Sequence, residues 1–267
     1  MKKGLLNIDK TKPIMKKTIL YATISAILLM FSCQKDNPHE NSVSVSAIQK
    51  GNWLKADLDS KFANSQKQVT AYLFDNDEMS KLVRTPNITE VRFFLGYSDN
   101  TIQIDVVGVD KSGKKLGSVK SKILNEQNYT KKLDELNDVS VSTTNKRTAL
   151  LNAHLLSPKD AFNGIKAWQK KLSSVSDLDE ITSHEGTRFR YFSLESDIVK
   201  AMVDESGTVN IGLFLGLNAV GKVTTILISL DKNNTIKKTS LASKIAASDV
   251  YDATRPCPPN GDPETDE

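Results

Sequence analysis

Residues 91–110, VRFFLGYSDNTIQIDVVGVD, decide how the rest of the chain is read. Val91 to Tyr97 is β-branched and aromatic, Ser98-Asp99-Asn100 has turn chemistry, and Ile102, Ile104 and Val106 then alternate with polar residues. Two such runs around a short polar break predict an antiparallel hairpin, with Lys111-Ser112-Gly113 turning the chain beyond it. Upstream, Val69 to Leu73 reads as a strand. Asp75 with Glu78 three places on has capping-box spacing, and Met79, Leu82 and Val83 form one apolar helical face that ends before Pro86.

The same order recurs downstream. Arg188 to Ser193 alternates like a strand, Ile198, Val199, Met202 and Val203 form a helical face, and Val209–Leu217 with Val223–Asp231 reads as a second hairpin. Asp77, Met79, Leu82 and Val83 match Asp197, Val199, Met202 and Val203 at an offset of 120, as do the identical triplets Phe94-Leu95-Gly96 and Phe214-Leu215-Gly216. Asp110-Lys111 matches Asp231-Lys232 at 121, Ser121-Lys122-Ile123 matches Ser243-Lys244-Ile245 at 122, and Tyr129 matches Tyr251. The expectation is an α+β fold of two similar units, each strand–helix–β-hairpin, packed together around mainly antiparallel sheet. One unit alone buries too little to be stable, so the two must share a core.

The clearest single helix opens the second unit. Ser157 is an N-cap, Pro158 suits the first helical position, and Ala161, Phe162, Ile165, Trp168 and Leu172 make a continuous stripe. Trp168 on that stripe is expected in the core rather than as a ligand platform. The organisation follows: residues 1–32 a leader, 33–46 a flexible tether, 47–130 the first unit, 131–154 a connection with a short helix near Tyr129 to Leu136, 155–253 the second unit, and 254–267 a proline-rich, acidic, disordered tail containing Cys257.

The leader has a positive start at Lys16-Lys17 followed by the uncharged run Thr18 to Ser32, the length of a signal-peptide apolar region and too short to span a bilayer. Met15 begins a better signal peptide than Met1. Leu29-Met30-Phe31-Ser32-Cys33 resembles a bacterial lipobox, which implies cleavage between Ser32 and Cys33 and a lipid on the Cys33 thiol. Gln34-Lys35-Asp36 resembles the short Lys/acidic signal that sends Bacteroidota lipoproteins to the outer cell surface. Residues 1–32 hold six Lys and one Asp of the chain's 36 basic and 32 acidic residues, leaving 30 against 31 beyond Ser32. The basic pI of 8.8 therefore comes from the leader and does not point to nucleic acid. With Cys33 lipidated, Cys257 has no partner for an internal disulfide.

Phe93 to Asp110, Leu213 to Asp231 and Tyr251 to Pro259 are similar to stretches of uncharacterised Bacteroidota lipoproteins, which carry aromatic-leucine-glycine strands and a proline-flanked C-terminal cysteine. The resemblance implies a location, an outer-membrane, lipid-anchored protein at the cell surface, and no activity. No catalytic, metal or cofactor residue is assigned. Gly216 to Lys222 mimics a phosphate-binding loop, but Val223 replaces the metal-binding hydroxyl and a strand follows, so a hairpin turn is expected. His184-Glu185 lacks the second His of a zinc-protease motif, Asp75-Asn76-Asp77-Glu78 is a helix cap rather than a calcium loop, and His154 has no ligand at metal spacing. The reading is an exported binding or structural module with a protein or glycan partner. The alternative is an extracellular hydrolase of polymers with unidentified residues.

Overall fold

A computed structural model describes Met1 and residues 45–141, 146–241, 244–253 and 255–261. The leader, Ser32, Cys33, the Gln34-Lys35-Asp36 signal and the tether up to residue 44 lie outside the described residues.

In the first half, α1 (Ala47–Lys55) and α2 (Ser60–Gln66) lead into β1 (Ala71–Asp75), α3 (Asn76–Val83), β2 (Glu90–Ser98), β3 (Thr101–Val109), β4 (Lys115–Lys120) and β5 (Lys122–Leu124). The connection holds α4 (Thr130–Asp134), a 3-10 turn (Glu135–Asp138), α5 (Ala149–Ala153) and β6 (Leu155–Leu156). The second half begins with α6 (Pro158–Ser174), α7 (Leu178–Ile181), β7 (Ser183–His184) and β8 (Thr187–Arg188). It continues through β9 (Tyr191–Glu195), α8 (Ser196–Val203), β10 (Asn210–Leu217), β11 (Val223–Leu230), β12 (Lys238–Leu241), β13 (Lys244–Ala247), β14 (Val250–Ala253) and β15 (Arg255–Cys257).

The fold is α+β, with two main antiparallel sheets: β5-β1-β10-β11-β14-β6 and β15-β9-β2-β3-β4. They pack face to face. Phe74 from one sheet and Phe93 from the other meet at 6.1 Å between ring centroids, inside a buried cluster that includes Ile104, Phe192, Leu213 and Leu227. On the outer face of the six-stranded sheet, Phe214, Ile226 and Ile228 are covered by Ala161 and Ile165 of α6 and by Leu133 of α4. Full burial of each such side chain contributes about 1.5–3 kcal/mol relative to exposure.

Neither half closes on itself. β1 pairs with β10 of the second half, Tyr72 opposite Leu213, and β9 pairs with β2 of the first, Phe192 opposite Phe93. Raising the first-half member by 120 and lowering the second-half member by 120 turns one register into the other. The flanking hydrogen bonds obey the same rule: Asn76 N donates to Val209 O and Ser196 N to Thr89 O, both at 3.0 Å. In β3 and β11 the offset is 121, because Val106 lies opposite Phe93 and Leu227 opposite Leu213.

The glycines of the two Phe-Leu-Gly triplets have a packing reason. A Cβ on Gly96 would lie 2.2 Å from Val45 Cγ1, just ahead of α1, and one on Gly216 would lie 3.2 Å from the Gly164 carbonyl carbon of α6. Each marks where chain on the outer face crosses its strand at close range.

Five expectations need correction. Ser121-Lys122-Ile123 and Ser243-Lys244-Ile245 are not equivalent: β5 pairs with β1, Ile123 opposite Tyr72, and the corresponding partner of Phe192 is Pro256. Nor does Tyr129 correspond to Tyr251, whose place opposite Leu227 is that of Val119 opposite Val106. Lys244 and Ile245 instead lie on β13, which pairs with β12. Strand β1 starts at Ala71 rather than Val69 because Val69 N still donates to Gln66 O, completing the exit from α2. Strand β9 likewise begins at Tyr191 rather than Arg188. Finally, the tail is ordered over Arg255–Cys257, which pairs with β9, Cys257 opposite Tyr191. Pro256 is tolerated there because β15 is an edge strand and needs no outer ladder bond.

Candidate functional site

The elements around α6 carry the candidate site. Its start is built as the sequence implies: Ser157 Oγ accepts from Asp160 N at 3.1 Å and donates to Asp160 Oδ2 at 2.6 Å, with Pro158 in the first turn. Ala161, Gly164, Ile165, Trp168 and Leu172 are buried against the sheet, whereas Phe162 is half-buried. Gly164 lets the helix sit low on β10, since a Cβ there would be 2.8 Å from Leu217 O. A cleft opens along each flank.

The first cleft, about 440 Å³, lies between α6, the α2–β1 link and the β5–α4 link. Tyr72 and Trp168 contribute to its floor, and the amide side chains of Gln68, Asn125, Asn128 and Gln169 line it. The floor is internally satisfied: Tyr72 Oη donates to Ile102 O at 2.9 Å and accepts from Gln66 Nε2 at 3.1 Å, while Gln66 Oε1 accepts from Ile102 N at 2.9 Å. Burial pushes the Tyr72 phenol far above its ordinary range. Trp168 is a core residue, 4% exposed, that also borders this cleft.

The second cleft, about 800 Å³, lies on the other flank, bounded by Asp160, Gly164 and Ala167 of α6, the turn Leu217–Gly221, and Thr224, Ile226 and Asp252 from the sheet. The turn is the phosphate-loop mimic, and it is a hairpin turn: Asn218 Oδ1 accepts from Val220 N and Lys222 N at 3.1 and 3.0 Å. Lys222 Nζ is directed away, donating to Glu180 O at 2.7 Å. Among the described residues, no Lys or Arg lines this cleft.

Asp252 is the residue that sequence reasoning missed. It is 8% exposed, and its Oδ1 accepts from the Thr224 hydroxyl. Burial pushes its carboxyl up to about 6, partly offset by the Thr224 bond and by His154. Its Oδ2 has no hydrogen-bond partner among the described residues. One sequence signal was available: in Val250-Tyr251-Asp252 the outward positions alternate, and Val250 packs under the helix layer, so Asp252 interrupts an apolar face.

Behind it, Asp252 N donates to His154 O at 3.1 Å and His154 Nδ1 donates to Asp252 O, 3.2 Å away. His154 Nε2 lies 3.3 Å from Glu195 Oε2, and Glu195 Oε1 lies 2.8 Å from an Arg255 terminal nitrogen. Glu195 stands where Asp75 stands in the first half. Asp75 caps α3 by accepting from Asp77 N and Glu78 N, whereas Glu195 makes no side-chain cap to α8 and pairs with His154 and Arg255 instead.

Among the described residues, no group of three or more His, Cys, Asp or Glu stands at metal-binding spacing, and no helix is long and apolar enough to cross a membrane. Cys257 is buried, 1% exposed, against Phe94 and Tyr191. No protein-family model, curated protein or solved structure matches this chain.

Proposed function

We propose that the chain is an exported lipoprotein, held to the outer membrane at the cell surface by lipid on Cys33, and that its folded body is a binding module. The observation that carries the anchor is the stretch Lys16 to Cys33: two lysines, an uncharged run, and a Cys directly after the small Ser32. Gln34-Lys35-Asp36 and the likeness to Bacteroidota lipoproteins support the surface location. Each buried methylene of a lipid chain contributes about 0.8 kcal/mol, so a diacyl anchor holds a soluble body stably. The matched offsets of sequence and strand register support descent of the two halves from one duplicated unit. The binding reading draws on the paired clefts beside α6, concave surfaces on a body whose two sheets otherwise close on each other.

The test is Cys33→Ala expressed in a bacterium that matures lipoproteins, followed by labelling with radioactive palmitate and membrane fractionation. Loss of label and release from the membrane are expected. Full membrane retention of an unlabelled chain would sink the anchor.

A further inference from the structure

We propose that the Asp252 cleft binds a small organic cation: an ammonium head against the Asp252 carboxylate, with an aliphatic body along the apolar wall. This names a ligand class for the binding-module reading and is independent of the anchor.

The argument starts from charge. Among the described residues, the charged ones lining the cleft are Asp160 and Asp252, both acidic. Asp160 is occupied by the Ser157 hydroxyl at the start of α6. Asp252 is different, because it is more than nine-tenths buried, lines the cleft, and uses one oxygen on Thr224 while the other has no partner among the described residues. A buried carboxylate is costly without a cation or several donors beside it. Here the neighbouring groups offer little: Thr224 gives one hydroxyl, and His154 meets the Asp252 backbone while its other nitrogen faces Glu195. Burial accordingly raises the affinity of Asp252 for a proton, the mark of a site short of positive charge.

Shape gives the other half. Leu156, Ala167, Leu217 and Ile226 line the cleft, and Val220, 80% exposed, projects at the turn that borders it. Such a wall favours an alkyl body over a hydrated metal ion, which would need several oxygen ligands.

The test uses the purified full-length chain and n-butylammonium chloride at pH 7.5, with n-butanol and butyrate as probes of equal size. Binding is followed by amide NMR shifts. Saturable butylammonium shifts at Gly164, Ala219 and Gly221 are expected, with butanol and butyrate at least tenfold weaker. Asp252→Asn should abolish that preference. Ala167→Phe, which fills the cleft and keeps the carboxylate, should weaken butylammonium at least tenfold. Equal affinity for butylammonium and butanol, shifts away from the cleft, or an unchanged preference in Asp252→Asn would overturn the proposal while leaving the anchor untouched.

Discussion

Arg84 and Asp204 stand 120 positions apart, cap the C-termini of α3 and α8, and form an ion pair with each other. The pair therefore joins the helix of one half to the helix of the other. It is also half-exposed, 49% and 47%, and exposed pairs contribute about 0–1 kcal/mol. Reversing both charges, Arg84→Asp with Asp204→Arg, should restore whatever either single change loses. A double-mutant cycle in urea should give a coupling below about 1 kcal/mol that fades in 1 M salt. A larger, salt-resistant coupling would mean that the helix pair is locked by more than this contact.

Two glycines inside helices make a second, opposite-signed pair of predictions. Gly51 lies in α1, where an added Cβ meets nothing within 4 Å. Gly51→Ala should stabilise the protein by up to about 1 kcal/mol through helix propensity. Gly164→Ala gains the same propensity but drives its Cβ to 2.8 Å from Leu217 O, a backbone atom that cannot swing aside. A net loss of about 1–3 kcal/mol is expected, read from urea midpoints of the two variants. Equal stabilisation by both would remove the close-approach account of Gly164 and Gly216.

Hydrophobic period made the hairpins, the α3 and α8 faces and the Ser157-capped helix legible, because each is a local pattern. Strand exchange was not: the period says which face of β1 is buried but not which half supplies its neighbour. The Ser-Lys-Ile triplets misled because short identical strings recur by chance, and only pairing register separates Pro256 from Ile245 as the counterpart of Ile123. The tail was misread on composition, since prolines argue against a central strand but not against an edge. Asp252 carried a faint signal as a polar break in an outward face. Its neighbours Thr224 and His154 come from 28 and 98 residues away, beyond any local window.

Asp252 sets a pH dependence. Its folded pKa, about 6, stands above the unfolded value of 3.8, so folding favours the protonated form. The stability this group contributes is fully present below about pH 4 and is lost as pH rises through about 6. Asparagine has no such loss and keeps an oxygen for the Thr224 hydroxyl. Asp252→Asn should therefore be more stable than the parent at pH 7.5, by up to about 2–3 kcal/mol. The gap should close near pH 4, as urea unfolding at the two pH values would show. A gap that does not change with pH would show that burial does not control this carboxyl.

Cys257 and Cys33 allow one chemical count to address both ends of the chain. Cys257 is 1% exposed under Phe94 and Tyr191, and its strand is held by Arg190 N donating to Cys257 O at 2.7 Å. Alkylation requires a thiolate and access, so native protein treated with a maleimide should leave Cys257 unmodified. In denaturant the barrier is removed. One thiol per chain should then react if Cys33 carries lipid through its sulfur, and two if it does not, with intact-mass measurement giving the number. Rapid native labelling mapped to Cys257 would contradict its burial between β9 and the aromatic pair, and two thiols in the denatured, membrane-derived chain would contradict the anchor.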